Sequence, residues 1–206
     1  MIKLAIDIND TIRAFSNQYA LIYRKSGINP QFDINNLKYE DEDIYSPFKF
    51  DSKEQREKFQ YIDYPLEIYG SANCVDKNIP GLLNVWKNDI DDFDKEDDIE
   101  LSIIGCDENE LSIQATLFFL SKNATRFRKI EFPKSSEEVW KKFDIVVTAD
   151  PRLIKTTPLD SDKYAVMIYA PYNKSIYSPG TGLCYKTFIK FLEDKDTWKQ
   201  LLKLSE

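Results

Sequence analysis

The stretch that decides the fold is LAIDINDTIRAF, which runs from Leu4 to Phe15. Residues Lys3–Ile8 form a short and mostly apolar run, which is typical of a strand buried on both faces of a sheet. Thr11–Lys25 follows with apolar side chains at helical spacing, and Gly27 marks its end. We therefore predict a buried strand that leads directly into a helix, with polar side chains at their junction.

The same alternation continues along the chain. The further predicted strands are Ile99–Ile104, Thr125–Phe132, Asp144–Thr148 and Tyr164–Tyr169. The further predicted helices are Lys53–Tyr61, Ile79–Trp86, Glu108–Ser121, Ser135–Lys142 and residues 184–204. This order predicts an α/β fold with a doubly wound parallel sheet. Ligands of such sheets bind beyond the carboxyl ends of the strands, so we expect the site near Asp7–Thr11, Gly105–Asp107, Thr148–Asp150 and Ala170–Asn173.

Residues 31–72 differ from this pattern, because polar, acidic and aromatic residues are mixed there. We interpret them as a small helical cap inserted into a core made of residues 1–30 and 73–206. The aromatic side chains of the cap could stack a nucleobase, form a small core of their own, or pack on another protein. The sequence leaves these three alternatives open.

Composition excludes several kinds of chemistry. The chain has 206 residues, no histidine and a formal net charge of −7, so mechanisms that depend on histidine are excluded. An acidic chain does not hold a nucleic-acid duplex through bulk electrostatics, and no apolar run approaches the roughly 18 residues of a membrane span. The three cysteines, Cys74, Cys106 and Cys184, are far apart and odd in number. They favour a reducing cytoplasm.

Three further patterns have plain interpretations. The acidic run Asp89–Asp98 lacks the glycine and the spacing of a calcium loop, so we predict a solvated loop. Arg126, Arg128 and Lys129 alternate with other residues, which is typical of one exposed face of an amphipathic strand. Residues 178–186 lack the ending of a phosphate-binding loop and are predicted to form a turn.

Four segments, in the right order, resemble the haloacid dehalogenase-like superfamily. LAIDINDTIRAF resembles its first motif, an apolar strand followed by Asp-x-Asp-x-Thr. The segments YIDYPLEIYGSA (61–72), DIVVTADPRLI (144–154) and VMIYAPYNKSIY (166–177) resemble the 5'(3')-deoxyribonucleotidase-like branch. The resemblance covers most of the chain and implies the doubly wound core with a cap.

The first motif departs from the family pattern at one catalytic position. The resemblance implies that Asp7 is the nucleophile that accepts a phosphoryl group and that Thr11 is the motif's threonine. The second aspartate, which acts as general acid and base, is replaced by Asn9. An amide cannot transfer that proton, and losing such a group costs about 10²- to 10⁴-fold in rate. Asp10 is a carboxylate but lies one position too far along the chain.

The second and third motifs are also altered. The serine or threonine of the second motif is replaced by Gly105 or Cys106. The third motif is a lysine that neutralises the phosphoryl group, for which Lys129, Lys134 and Lys141 are candidates. We expect Lys129 or Lys141 to fill this substrate-binding role.

The fourth motif has lost its acids. The two acidic positions fall on Thr148 and Ala149, and Asp150 follows. If the resemblance extends to a magnesium ion, Asp7 and Asp150 would hold it. We expect the protein to have no cofactor. If the site is functional, we expect it to use Mg²⁺.

These departures predict a catalytically degenerate domain with a structural or assembly role, such as a component of the tail or neck ring of a tailed phage. Its partners would then be other protein subunits, in a homo-oligomer or a mixed assembly. It would bind neither nucleic acid nor a membrane. It would occur in the reducing cytoplasm of the producing cell or in the virion. The alternative is a magnesium-dependent phosphatase of the 5'(3')-deoxyribonucleotidase type with Asp7 as nucleophile. A third hypothesis is a domain that binds nucleotides without chemistry.

Overall fold

The computed structural model describes residues 1–40, 42–93, 99–106, 108–123, 127, 129–158, 162–177 and 183–204. Within them lies a six-stranded sheet in the order β3-β2-β1-β4-β5-β6, with every pair of neighbours parallel. The strands are β1 (Ile2–Asp7), β2 (Ile99–Ile104), β3 (Lys129–Glu131), β4 (Ile145–Thr148), β5 (Tyr164–Ile168) and β6 (Cys184–Tyr185). The α-helices are α1 (Phe15–Ser26), α2 (Lys53–Lys58), α3 (Ile79–Phe93), α4 (Glu110–Lys122), α5 (Ser136–Lys142), α6 (Pro151–Lys155), α7 (Phe188–Glu193) and α8 (Lys195–Leu204).

The strand order confirms the predicted doubly wound α/β fold. From β1 the chain builds β2 and β3 on one side, then crosses back and builds β4, β5 and β6 on the other. The direction of winding therefore reverses between β1 and β4. In open α/β sheets the crevice at such a reversal, beyond the carboxyl ends of the strands, is where ligands bind.

The sheet is covered on both faces because side chains alternate across it. Leu4 and Ile6 of β1 belong to a buried cluster with Trp86 of α3 and Trp198 of α8. Ala5 belongs to a second buried cluster, which includes residues of α5 and α6. Burial on both sides explains why this strand reads as a continuous apolar run.

Residues 31–72 contain short helical segments: a 3₁₀ turn at Ile34–Asn36, helix α2, and π-helical segments at Phe59–Asp63 and Leu66–Gly70. Their aromatic rings pack against α1, as in the contact of Tyr19 with Phe48, whose ring centroids are 4.7 Å apart. Most of these rings therefore form a small core between α1 and the cap segment, which is one of the three alternatives left open by the sequence.

The first helix begins later than predicted. Helix α1 starts at Phe15 rather than at Thr11, because Asp10 adopts a left-handed backbone conformation with φ of 53°. The carboxylate of Asp10 accepts hydrogen bonds from the backbone N–H of Ser16, at 3.0 and 3.2 Å. The polar run after β1 is thus a tight turn whose acid caps the helix that follows.

The prediction of a solvated loop at Asp89–Asp98 is wrong for residues 89–93. Helix α3 continues to Phe93, and residues 94–98 lie outside the described part. The apolar series Ile79, Leu83, Trp86 and Ile90 continues the buried face of the helix into the acidic run. Spacing of three and four residues outweighs the acids here because they can occupy the solvent side of the same helix.

Two other segments also differ from prediction. Residues 184 and 185 form the edge strand β6 beside β5, and the predicted helical region 184–204 becomes this strand followed by α7 and α8. Strand β3 is confined to Lys129–Glu131, and Arg126 and Arg128 of the predicted strand lie outside the described residues. Among the described residues, no helix combines the length and apolar character needed to cross a membrane.

Candidate active site

A cavity of about 590 Å³ lies between the carboxyl ends of the strands and the cap segment. Asp7 and Asn9 from the first motif line it, together with Cys106 and Glu108 from the loop after β2 and Asp150 from the loop after β4. The sequence placed the site at these strand ends, and the cavity brings those loops together. The cap contributes cations and aromatic rings, among them Lys53, Arg56, Tyr45, Tyr61 and Tyr69.

Asp7 ends the central strand β1 and is 2 % exposed. Its Oδ2 accepts a hydrogen bond of 2.7 Å from the hydroxyl of Thr148, and its carboxylate also accepts one from the backbone of Asn9. Burial, followed by the negative charge of Asp150, raises the pKa of Asp7 to about 7. A buried carboxyl with a pKa this high is typical of functional sites.

The loop after β4 supplies a hydroxyl and a paired acid. Thr148 donates to Asp7 and in turn accepts a 2.9 Å hydrogen bond from the backbone N–H of Asp150. Asp150 caps α6 by accepting from the backbone N–H of Arg152 at 2.8 Å. Its two oxygens also accept from the guanidinium of Arg152, at 2.6 to 3.1 Å. The Asp150 carboxylate is therefore paired with a cation that lies two residues along the chain.

The residues present do not fit a magnesium site. Mg²⁺ requires near-octahedral oxygen ligands, usually including one or two carboxylates. Of the two acids predicted to hold it, Asp150 is paired with a guanidinium and Asp7 accepts from Thr148. No group of three His, Cys, Asp or Glu side chains that could hold a metal ion occurs in the described part of the chain.

Asn9, which the sequence resemblance assigns to the position of the acid and base, is bound by a buried arginine. Its amide oxygen accepts from Nε of Arg13 at 3.0 Å and from Nη2 at 2.6 Å. Arg13 is 0 % exposed and forms an ion pair with Glu108, with Nη2 and Oε1 2.6 Å apart. The position that would move a proton is thus joined to a fixed, buried charge pair.

The remaining donors of Arg13 link the cap to the core. Its Nη1 donates to the backbone carbonyl of Tyr69 in the cap segment at 3.2 Å and to the hydroxyl of Thr116 in α4 at 2.6 Å. That hydroxyl donates to the second oxygen of Glu108 at 2.6 Å. All five N–H bonds of the guanidinium are directed at protein acceptors, so Arg13 has no donor left for a ligand.

Asp10 is not among the residues that line the cavity. Besides its bonds to Ser16, it accepts a 3.1 Å hydrogen bond from the hydroxyl of Tyr172. Burial raises the pKa of Asp10 to about 6. Thr11 is fully buried, and its hydroxyl has no hydrogen-bond partner in the described part of the chain.

The three candidate lysines differ in their partners and in their distance from the cavity. Lys129 pairs with Glu100 of the neighbouring strand, and Lys141 pairs with Glu137 on the exposed side of α5 at 2.7 Å. Neither is among the residues that line the cavity. Lys134 donates to the backbone carbonyl of Glu108 at 3.4 Å, so it lies beside the loop that contributes to the site.

Sequence reasoning missed Arg13, Glu108, Arg56 and Arg152. The one local signal was Arg13, a charged residue among Ile12, Ala14 and Phe15 at the start of a predicted buried helix face. The other three lie on exposed or irregular segments, where the spacing of residues along the chain does not predict which side chains come into contact.

A comparison with solved structures identifies the fold. A haloacid dehalogenase-like family hydrolase from Xanthomonas campestris aligns with a TM-score of 0.50 and 10 % sequence identity, over 98 % of each chain. The chain therefore shares the α/β fold of that hydrolase. No protein-family model and no curated protein matches the sequence. At this identity the likeness extends to the fold alone.

Proposed function

We propose that this protein is a catalytically degenerate haloacid dehalogenase-like domain that binds a phosphorylated aromatic compound without efficient hydrolysis. The observation that carries the proposal is the bond between Asn9 and the buried Arg13–Glu108 pair. A working site needs a group there that can give and take a proton, and an amide held by a guanidinium cannot do so.

The other acids near this position do not supply a substitute. Both oxygens of Glu108 accept hydrogen bonds, one from Arg13 and one from Thr116. Asp10 is engaged by Ser16 and Tyr172. Burial raises the pKa of Asp7 to about 7, which disfavours the ionised form of the carboxyl that a nucleophile requires.

The cavity itself retains features that bind small anions. Arg56 and Lys53 of the cap and Arg152 of the core line it, and guanidinium groups suit bidentate contacts with phosphate. Aromatic rings lie beside these cations, with the guanidinium of Arg56 4.6 Å from the ring centroid of Tyr45. A volume near 590 Å³ is within the range of small-molecule sites. A deoxynucleoside monophosphate combines the anion and the aromatic face that this lining favours.

Binding is the direct test of the retained pocket. We expect titration calorimetry to detect binding of deoxynucleoside monophosphates, and Arg56→Met to weaken it by about tenfold because a charged hydrogen bond is lost. Lys141→Met removes the same kind of charge from the exposed side of α5 and should leave the affinity unchanged. Equal affinity for wild type and Arg56→Met would contradict the proposed ligand position.

Catalysis is tested by phosphate release from the same compounds with Mg²⁺ present. We expect wild type to release no more phosphate than Asp7→Asn. The single repair Asn9→Asp should also fail, because the guanidinium of Arg13 would lower the pKa of the introduced carboxylate and keep it ionised. Wild-type turnover that disappears in Asp7→Asn would overturn the proposal.

That last outcome would favour the second candidate, a phosphatase that uses Asp7. Its support is the retention of this carboxylate at the end of the central strand, with hydrogen bonds from Thr148 and the backbone of Asn9. The role in a phage tail or neck stays a prediction that rests on the sequence alone.

A further inference from the structure

Helix α4 presents large apolar side chains to solvent. Leu111 is 47 % exposed, Leu117 is 42 % exposed and Phe118 is 52 % exposed. The opposite side of the same helix is buried, with Phe119 0 % exposed and Leu120 3 % exposed. A helix that is apolar on all sides is usually buried on all sides. In this structure only one side of α4 is buried.

The exposed residues form one continuous face. At 100° per residue, Leu111, Gln114, Leu117, Phe118 and Ser121 fall within an arc of roughly 120°. No charged residue occurs between Glu110 and Lys122. We name these five residues the α4 face.

The cap segment extends this face. A Cβ atom placed on Gly70 would lie 2.7 Å from Cδ1 of Leu66 and 3.2 Å from Cδ1 of Phe118. Both side chains therefore lie beside Gly70, and Leu66 is itself 51 % exposed. The apolar surface thus crosses the boundary between core and cap, and a bound partner would cover both.

We propose that the α4 face binds the α4 face of a second copy of this chain, with the two helices antiparallel about a two-fold axis. The first argument is charge. The chain carries a net charge of −7, so the net charges of two copies repel one another. The α4 face carries no charge, which allows close approach without like-charge contact.

The second argument is that the ends of α4 are self-complementary. Glu110 is at its amino end and Lys122 at its carboxyl end, six positions either side of Thr116. If two antiparallel helices cross through their α4 faces at the height of Thr116 along the helix axis, each Glu110 lies opposite Lys122 of the partner subunit. Such pairing is what an isologous two-fold contact requires, because each residue meets its complement twice.

Both end residues are available for this pairing. Glu110 and Lys122 are exposed, and the ammonium of Lys122 donates one hydrogen bond, of 3.1 Å, to the carbonyl of Ala72. An ammonium carries three N–H bonds, so two can still reach a partner's carboxylate. The antiparallel arrangement also sets the two helix dipoles in opposite directions, which is favourable.

Sedimentation equilibrium of the full chain tests the proposal. We expect wild type to form a dimer of twice 24.1 kDa, and Phe118→Asp to raise the dissociation constant by about 30-fold or more, as for a central apolar contact. Val85→Asp is the matched control, since Val85 is a 56 % exposed apolar residue of α3 outside the α4 face. The control should remain dimeric, and circular dichroism checks that each variant is folded.

Charge reversal tests the antiparallel orientation separately. Glu110→Lys alone and Lys122→Glu alone should each weaken the dimer, and the two changes together should restore it. A monomeric wild type, or a dimer that withstands Phe118→Asp, would overturn the proposal. Wild type that is monomeric alone but captures a different protein through this face would assign the surface to another partner and would equally overturn it.

Discussion

Glu108→Gln is expected to lower the free energy of unfolding by about 3–5 kcal/mol. The substitution removes the anion that Arg13 faces at 2.6 Å and leaves a guanidinium buried at 0 % exposure without its counter-charge. Breaking a buried ion pair from one side has this large cost because the remaining charge stays out of water. Urea denaturation of the two proteins measures the difference.

The matched control is Glu137→Gln, which makes the same chemical change in an ion pair on the surface of α5. It should leave the denaturation midpoint unchanged, because exposed pairs contribute little. The double variant Arg13→Met with Glu108→Gln should lose less than the two single variants together, since no buried charge remains. A loss below about 1 kcal/mol for Glu108→Gln would show that water reaches Arg13, contrary to the geometry of its network.

Asp7→Asn is expected to stabilise the protein at pH 8 by about 2–4 kcal/mol and to change its stability little at pH 4. The pKa of Asp7 is raised from 3.8 to about 7 in the folded state. The folded protein therefore holds a proton that the unfolded chain releases, and the stabilising contribution of that proton is complete below pH 3.8. It is lost as the pH rises towards 7, by roughly 1.4 kcal/mol for each pH unit.

An asparagine at this position has no charge to desolvate, so its advantage grows over the same pH window. Denaturation at pH 4, 6 and 8 without added metal measures this trend, and Asp63→Asn serves as the control because its side chain is 41 % exposed. A constant difference between wild type and Asp7→Asn at all three pH values would contradict the raised pKa.

The two expected results concern different parts of one arrangement. Glu108 and Arg13 form a network that holds the cap to the core, and it includes the side chain of Asn9. Asp7 ends β1 and accepts a hydrogen bond from Thr148. The side chain to which the resemblance assigns the acid and base position thus belongs to the network, whereas the carboxylate that it assigns as nucleophile is bound by Thr148.

Much of the fold could be predicted from local patterns. The run Lys3–Ile8 identified the central strand because a strand buried on both faces must be apolar throughout. The resemblance of the first motif placed Asp7 at the end of that strand, where the structure has it. Helix spacing failed at Thr11, because the left-handed turn at Asp10 delays the start of α1 to Phe15, and at Asp89, where a run of acids continues a helix with a buried face.

The sequence by itself determined the α/β class, the order of the first five strands, and the loop that carries Asp7, because hydrophobic periodicity and turn chemistry act over a few residues. Only the tertiary structure decided which charges meet. Arg13 and Glu108 are 95 residues apart, and Thr148 and Asp7 are 141 residues apart. Such pairs depend on which strands become neighbours and on how the cap folds over them, and that is settled by burial of the whole core rather than by spacing along the chain.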